Sequence, residues 1–272
     1  MIRRISSLTH RKKANRKTVT FFPPPSRNSL HHDPDAFMRA AISNDAQAMR
    51  IMIVKGFDPN CSLGDDPILL LCAKMGYLDA VKIILQAGPC DDVIDGNGLT
   101  AMHHAAIRGH ANIVQLLLQA GAYIDSRVHS QGDIYSMTSL MLACLHNRVA
   151  TAAMLLERKA SVHAGDHLGR TALHLACSRS DTDVLVYQLL AAGADAEVPD
   201  VTGTTALMYA AMALNLRVVK ALLVWGVDID TKTKANAQHD TIYWTKRDKR
   251  GSIVTLVEPG ESGSYKAPER YM

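Results

Sequence analysis

Aromatic side chains are scarce: Phe, Trp and Tyr make up 5% of the 272 residues, against 47% hydrophobic residues overall. Any core is therefore built mainly from Leu, Ile, Val, Ala and Met, and no ladder of rings is visible for stacking nucleic-acid bases. No apolar run approaches the roughly 18 residues that a membrane-crossing helix needs. The N-terminus lacks the continuous apolar stretch of a secretory signal. The five cysteines, Cys61, Cys72, Cys90, Cys144 and Cys177, are odd in number and form no C-x-x-C. They read as free thiols in a reducing, intracellular compartment, the cytoplasm first. Catalytic signatures are missing as well. There is no G-x-G-x-x-G opening a strand–helix unit, no P-loop Lys, no G-x-S-x-G and no kinase motif.

Acidic residues are absent from the first 32 positions, which carry eight Lys/Arg (Arg3, Arg4, Arg11, Lys12, Lys13, Arg16, Lys17, Arg27). Residues 33–230 reverse the balance, with 14 basic and 21 acidic side chains, and residues 231–272 return to eight basic against five acidic. Any anionic partner is expected at the basic ends of an acidic body. The arm 1–32, with Pro23-Pro24-Pro25, reads as disordered or ordered by a partner. It suits a mitochondrial transit segment, a nuclear-import or nucleic-acid patch, or a plain solvated tail, so mitochondrion and nucleus stay open beside the cytoplasm.

What the chain has in abundance is recurrence. Aligned on one position, Asp35, Pro67, Thr100, Thr138, Thr171 and Thr205 follow at steps of 32, 33, 38, 33 and 34 residues. Twenty-one places further on stand Gly56, Gly88, Gly121, Lys159, Ala192 and Gly226, with Gly193 one step late in the fifth copy. A period near 33 holding two short apolar segments marks an array of two-helix units. Thr at a helix start can cap free N–H groups, and Asp35 can do the same. Pro67 suits a first turn but cannot cap. Ala105-Ala106, Ala143-Cys144, Ala176-Cys177 and Ala210-Ala211 are small pairs that let helices approach closely. Lys159 stands where a left-handed residue is wanted, at a cost of about 1 kcal/mol.

The segments TAMHHAAIRGH at 100–110 and TALHLACSRSD at 171–181 resemble the ankyrin repeat family, with weaker echoes at 138–148 and 205–215. The resemblance covers about 33–230. It implies an all-α solenoid of about six stacked helix–turn–helix units with hairpin-like tips. It also implies that His103 and His174 bond within the first-helix turn, and that partners touch the tips and the exposed face of each first helix. Palmitoyl transferases with such repeats carry an Asp-His-His-Cys motif, which this chain lacks. The densest histidine cluster, His103-His104-His110, has no Cys or carboxylate pairing at zinc-site spacing, and no metal, cofactor or catalytic residue is expected.

On that reading the positions after each small pair line a concave surface: Ile107, Arg108, Leu145, His146, Arg179 and Met212. The tips add Asn97, Leu99, Tyr135, Met137, His167 and Arg170, with the longest insertion at 127–137. The first copy, 35–60, reads as an N-terminal cap. The segments IYWTK at 242–246 and SIVTLVE at 252–258 read as a C-terminal β-hairpin that covers the last repeat near Trp225, and 259–272 as disordered. The function expected is a non-catalytic protein–protein interaction module or scaffold, with an unidentified protein as partner. The rival is a ribonucleoprotein or nucleic-acid-associated component that uses the basic termini.

Overall fold

The structure, a computed structural model, describes residues 34–63, 66–88, 93–129 and 134–227. Within them the helices run in consecutive pairs: α1 (Pro34–Ile42) with α2 (Ala46–Val54), α3 (Ile68–Met75) with α4 (Leu78–Ala87), and α5 (Ala101–Arg108) with α6 (Ala111–Ala120). There follow α7 (Ser139–Leu145) with α8 (Val149–Glu157), α9 (Ala172–Cys177) with α10 (Asp183–Ala191), and α11 (Ala206–Met212) with α12 (Leu216–Val224). Among the described residues one antiparallel ladder joins β1 (Ser62–Leu63) to β2 (Asp66–Pro67), Ser62 facing Pro67. The expected all-α solenoid is what forms. The basic arm, the 242–258 hairpin and the 259–272 end lie outside the described residues. Among the described residues no helix is long and apolar enough to cross a membrane.

From the second unit on, each first helix begins just after the aligned position, but the caps differ from simple threonine capping. The Thr100 hydroxyl accepts the His103 N–H at a long 3.4 Å, while the Thr100 N–H donates to His103 Nδ1 at 3.1 Å. The bond is reciprocal, with imidazole in the place usually held by Glu or Gln. His174 Nδ1 accepts from the Thr171 N–H in the same way at 3.1 Å. In α7 the Met141 sulfur, a weaker acceptor, takes this role for the Thr138 N–H at 3.4 Å. Thr205 makes no side-chain cap bond. Asp35 falls inside α1, one place after its first residue, and not before the helix as the alignment suggested.

Left-handed residues punctuate the units. Between the two helices of each pair stand Asn44, Gly76, Gly109, Asn147, Asp181 and Leu214, all at positive φ. Asp181 comes one place later after Thr171 than Gly109 does after Thr100, so the fifth copy carries its extra residue in this turn. At the ends of second helices, Lys159 has φ +67°, matching Gly121 and Gly226 in kind. A Cβ on Gly76 would come within 2.6 Å of the His110 ring, and one on Gly109 within 2.9 Å of Arg148 Cδ. The third and fourth units therefore each seat a side chain on the turn of their predecessor.

The stack has two layers. First helices pack on first helices, α1 through α11, and second helices on second helices, α2 through α12. The small pairs from Ala105-Ala106 to Ala210-Ala211 are completely buried, and the first-helix layer is the more intimately packed. A stack drawn closer on one side bends toward it, which makes the first-helix face the inner one. The first pair is less polar outside than a cap should be: Ile51 and Val54 are exposed. Trp225 and Val224 at the other end are exposed as well.

Candidate protein-binding surface

The tips are built on a recurring aspartate. Asp95 Oδ1 accepts the N–H groups of Asn97 and Leu99, both at 2.9 Å, and its Oδ2 takes His104 Nε2 at 2.8 Å. Burial pushes the Asp95 carboxyl up, but the bonds from Leu99, His104 and Asn97 together outweigh it and hold the group below its usual range. Asp166 and Asp200 repeat the plan, Asp166 receiving Leu168 and Arg170, Asp200 receiving Thr202, Thr204 and the Tyr209 hydroxyl. These three aspartates were missed in reading for binding residues. The signal was present as D-x-x-G-x-T at 95–100, 166–171 and 200–205.

That plan decides which tip candidates are available. Asn97 is exposed. Leu99 and Met137 are not: they are 6% and 1% exposed, because in these two units the residue before the capping Thr turns into the core. Their expected role at an exposed tip is thereby corrected. Arg170 is half-buried and committed to Asp166, with Nε and Nη2 each 2.8 Å from Oδ2. It buttresses its own turn. Tyr135 and His167, from successive units, come together: His167 Nδ1 lies 3.0 Å from the Tyr135 carbonyl and the rings are 5.7 Å apart. Arg127 Nη1 braces the same insertion by donating to Ser136 O at 3.0 Å and Gly165 O at 2.6 Å.

On the first-helix face, Arg108, His146, Arg179 and Met212 are exposed as expected. Ile107 and Leu145 are half-buried against the core, so the continuous apolar strip expected there is interrupted. Apolar exposure concentrates toward the ends, at Ile42 and Met75 on one side and Met212 and Leu214 on the other. The middle is basic. Partial burial of the ring of this otherwise exposed residue first, then Arg148, Arg179 and Arg108, hold the His146 imidazole below its ordinary pKa.

The face is stitched across units. Arg148 Nε donates to the Ile107 carbonyl at 2.9 Å, Asn147 Nδ2 to Asp181 O at 3.1 Å, and Asn215 Nδ2 to Arg179 O at 3.1 Å. Buried chemistry lies behind it but is occupied. His103 Nδ1 accepts from Thr100 while Nε2 faces the Ser126 carbonyl at 3.0 Å, which fixes the proton on Nε2. Burial chiefly drives its pKa down to about 4. Burial also pushes the Cys72 and Cys144 thiols up to about 12 and Cys177 further still, so they stay protonated.

A two-layer stack of helix pairs with hairpin tips, four of them started by a Thr and each ended by a residue at positive φ, defines a helical repeat protein. Comparison narrows the class. The family described as Ankyrin repeats matches three times, over residues 37–128, 69–166 and 140–233, and the chain belongs to it. It is similar to the Ankyrin repeat protein nuc-2 of Neurospora crassa, 31% identical over 74% of this chain and 18% of that one. It is also similar to human Ankyrin repeat and MYND domain-containing protein 1, 29% identical over 67% of this chain and 20% of the relative. A third relative is the Putative palmitoyltransferase ZDHHC13 of Danio rerio, 30% identical over 54% and 22% respectively. The matched stretch spans about a fifth of these relatives. Ankyrin repeats generally mediate protein–protein interaction.

Proposed function

We propose that the chain is a non-catalytic interaction module that holds a protein partner on its first-helix face. One observation carries this reading. The exposed ends of the first helices from α5 to α11 stand on turns locked to their neighbours by the Arg148, Asn147 and Asn215 bonds. Such a surface loses little conformational entropy on docking. Ile42, Met75 and Met212 are large apolar side chains held in water, and exposed apolar groups rimmed by polar ones favour an interface. Asn97, Tyr135 and His167 extend the candidate surface along the tips.

The test places a photo-crosslinking amino acid at Met75 or Ser178 on the first-helix face, and at Val184 or Tyr187 on α10 as comparison, in cells that make the chain. One discrete protein adduct from the first two positions, absent from the α10 positions, is the expected result. No adduct from the first-helix face, or equal adducts from both faces, would defeat the reading.

A further inference from the structure

The middle of the first-helix face carries an ordered basic row. Arg108, His146 and Arg179 each stand eight places after Thr100, Thr138 and Thr171, so they occupy one position in three successive units. Arg148 lies over the Gly109 turn, held there by its bond to the Ile107 carbonyl. Lys74, exposed at the end of α3, extends the row toward the N-terminal side. Helices α3, α5, α7, α9 and α11 contain no Asp or Glu at all, although residues 33–230 as a whole are net acidic. Among the described residues Arg108 and Arg179 have no ion pair. The acid nearest in sequence, Asp181, is exposed and contributes only its carbonyl, to Asn147. The fields of all three arginines reach His146, which places the four side chains in one neighbourhood.

We infer that this row is a docking track for an extended acidic protein segment, its carboxylates meeting Arg108, Arg148 and Arg179 and its apolar ends meeting Met75 and Met212. The inference rests on the reading of the face as a protein-binding surface and adds the chemistry of the partner. Packed helices lie about 8–10 Å apart, and an extended chain in the polyproline II conformation rises about 3.1 Å per residue with three residues per turn, so every third side chain shares one face. Acidic residues at every third position therefore match the units one to one. Arginine suits carboxylate because its planar donors engage both oxygens. A nucleic acid is disfavoured here. No aromatic side chain stands in the row for bases to stack on, and the apolar flanks give a phosphate backbone nothing to hold. The acidic remainder of the array repels a long polyanion.

The experiment uses the full chain and a fluorescein-labelled synthetic peptide with glutamate at every third position, serines between, and a leucine near each end. Saturable binding with Kd under about 1 mM, weakening as NaCl is raised, is expected. Arg108→Glu with Arg179→Glu weakens it at least tenfold, and the milder Arg108→Gln with Arg179→Gln weakens it in the same direction. Both are read only with far-UV circular dichroism and thermal unfolding matched to the parent. The control pair Arg217→Glu with Lys220→Glu, exposed on α12, makes the same charge change and alters affinity less than twofold. Absent binding to the parent chain, equal losses in face and control pairs, or tighter binding of an oligothymidylate of equal charge would each overturn the inference. The crosslinking experiment separates the two levels. If Met75 and Ser178 capture a partner that the glutamate pair still retains, the acidic track fails and the interaction module stands.

Discussion

At the residue scale, the buried histidines set the acid response. His103 is completely buried and its folded pKa is about 4, against an ordinary 6.5. Above pH 6.5 it is neutral folded or unfolded and has no effect on the balance. Below that pH only the unfolded chain takes up the proton, so stability is lost as pH falls from 6.5 through 4. The loss from this group alone approaches about 3 kcal/mol. His174 and His146 are lowered too, so their losses have the same sign. Urea midpoints measured from pH 7.5 to pH 4 should fall steeply, and His103→Gln should fall less over the same interval at the expense of a lower starting midpoint. An equal slope in the variant would show that the acid response arises elsewhere.

The residue scale also shows what could and could not be read from sequence. Thr100, the small pairs and the left-handed demand at Lys159 were legible because they follow from local geometry within one unit. The half-burial of Ile107 and Leu145, and the full burial of Leu99 and Met137, were not. Exposure at those places is set by the neighbouring unit across the stack, which a single sequence does not reveal. Arg170 was misplaced for a related reason: its partner Asp166 lies only four residues away, but the turn that joins them was read as a binding tip.

At the element scale, the turns hold the adjustable energy. Lys159 sits at φ +67° where all five other units have Gly at positive φ after their second helices. Lys159→Gly should stabilise the chain by up to about 1 kcal/mol, the relief of left-handed strain less the added freedom of the unfolded backbone. Chemical denaturation reads this directly, and a lowered midpoint would contradict it. Gly76 is the opposite case. An alanine there needs φ +84° and drives its Cβ into the His110 ring. Gly76→Ala should cost more than about 2 kcal/mol, from strain plus overlap. The loss should be smaller in a His110→Ala background, because the overlap is then removed and only the backbone strain remains.

At the scale of the whole molecule, each unit touches only its neighbours, so damage should spread by position. Leu155 in α8 and Leu222 in α12 are both completely buried. Either replaced by Ala should lose about 2–5 kcal/mol of local packing. In Leu222→Ala the amides of α11 and α12 should exchange with deuterium sooner while α5 to α8 keep their protection. In Leu155→Ala the loss falls on an interior unit with neighbours on both sides, so protection should fall on both. Uniform loss of protection in both variants would mean that the array behaves as one cooperative block.

The Arg127 brace has a mechanical side. One guanidinium grips Ser136 within the long tip and Gly165 in the next unit, and Ser161 N–H reaches back to Asp125 at 2.9 Å. Third, fourth and fifth units are thus clamped at their tips, in addition to the turn bonds on the other edge. Stretched from its two ends, such a chain behaves as a spring with a stiff centre. Tension would peel the outer helix pairs away first and leave the basic row, which lies within the clamped segment, in its folded spacing until the last.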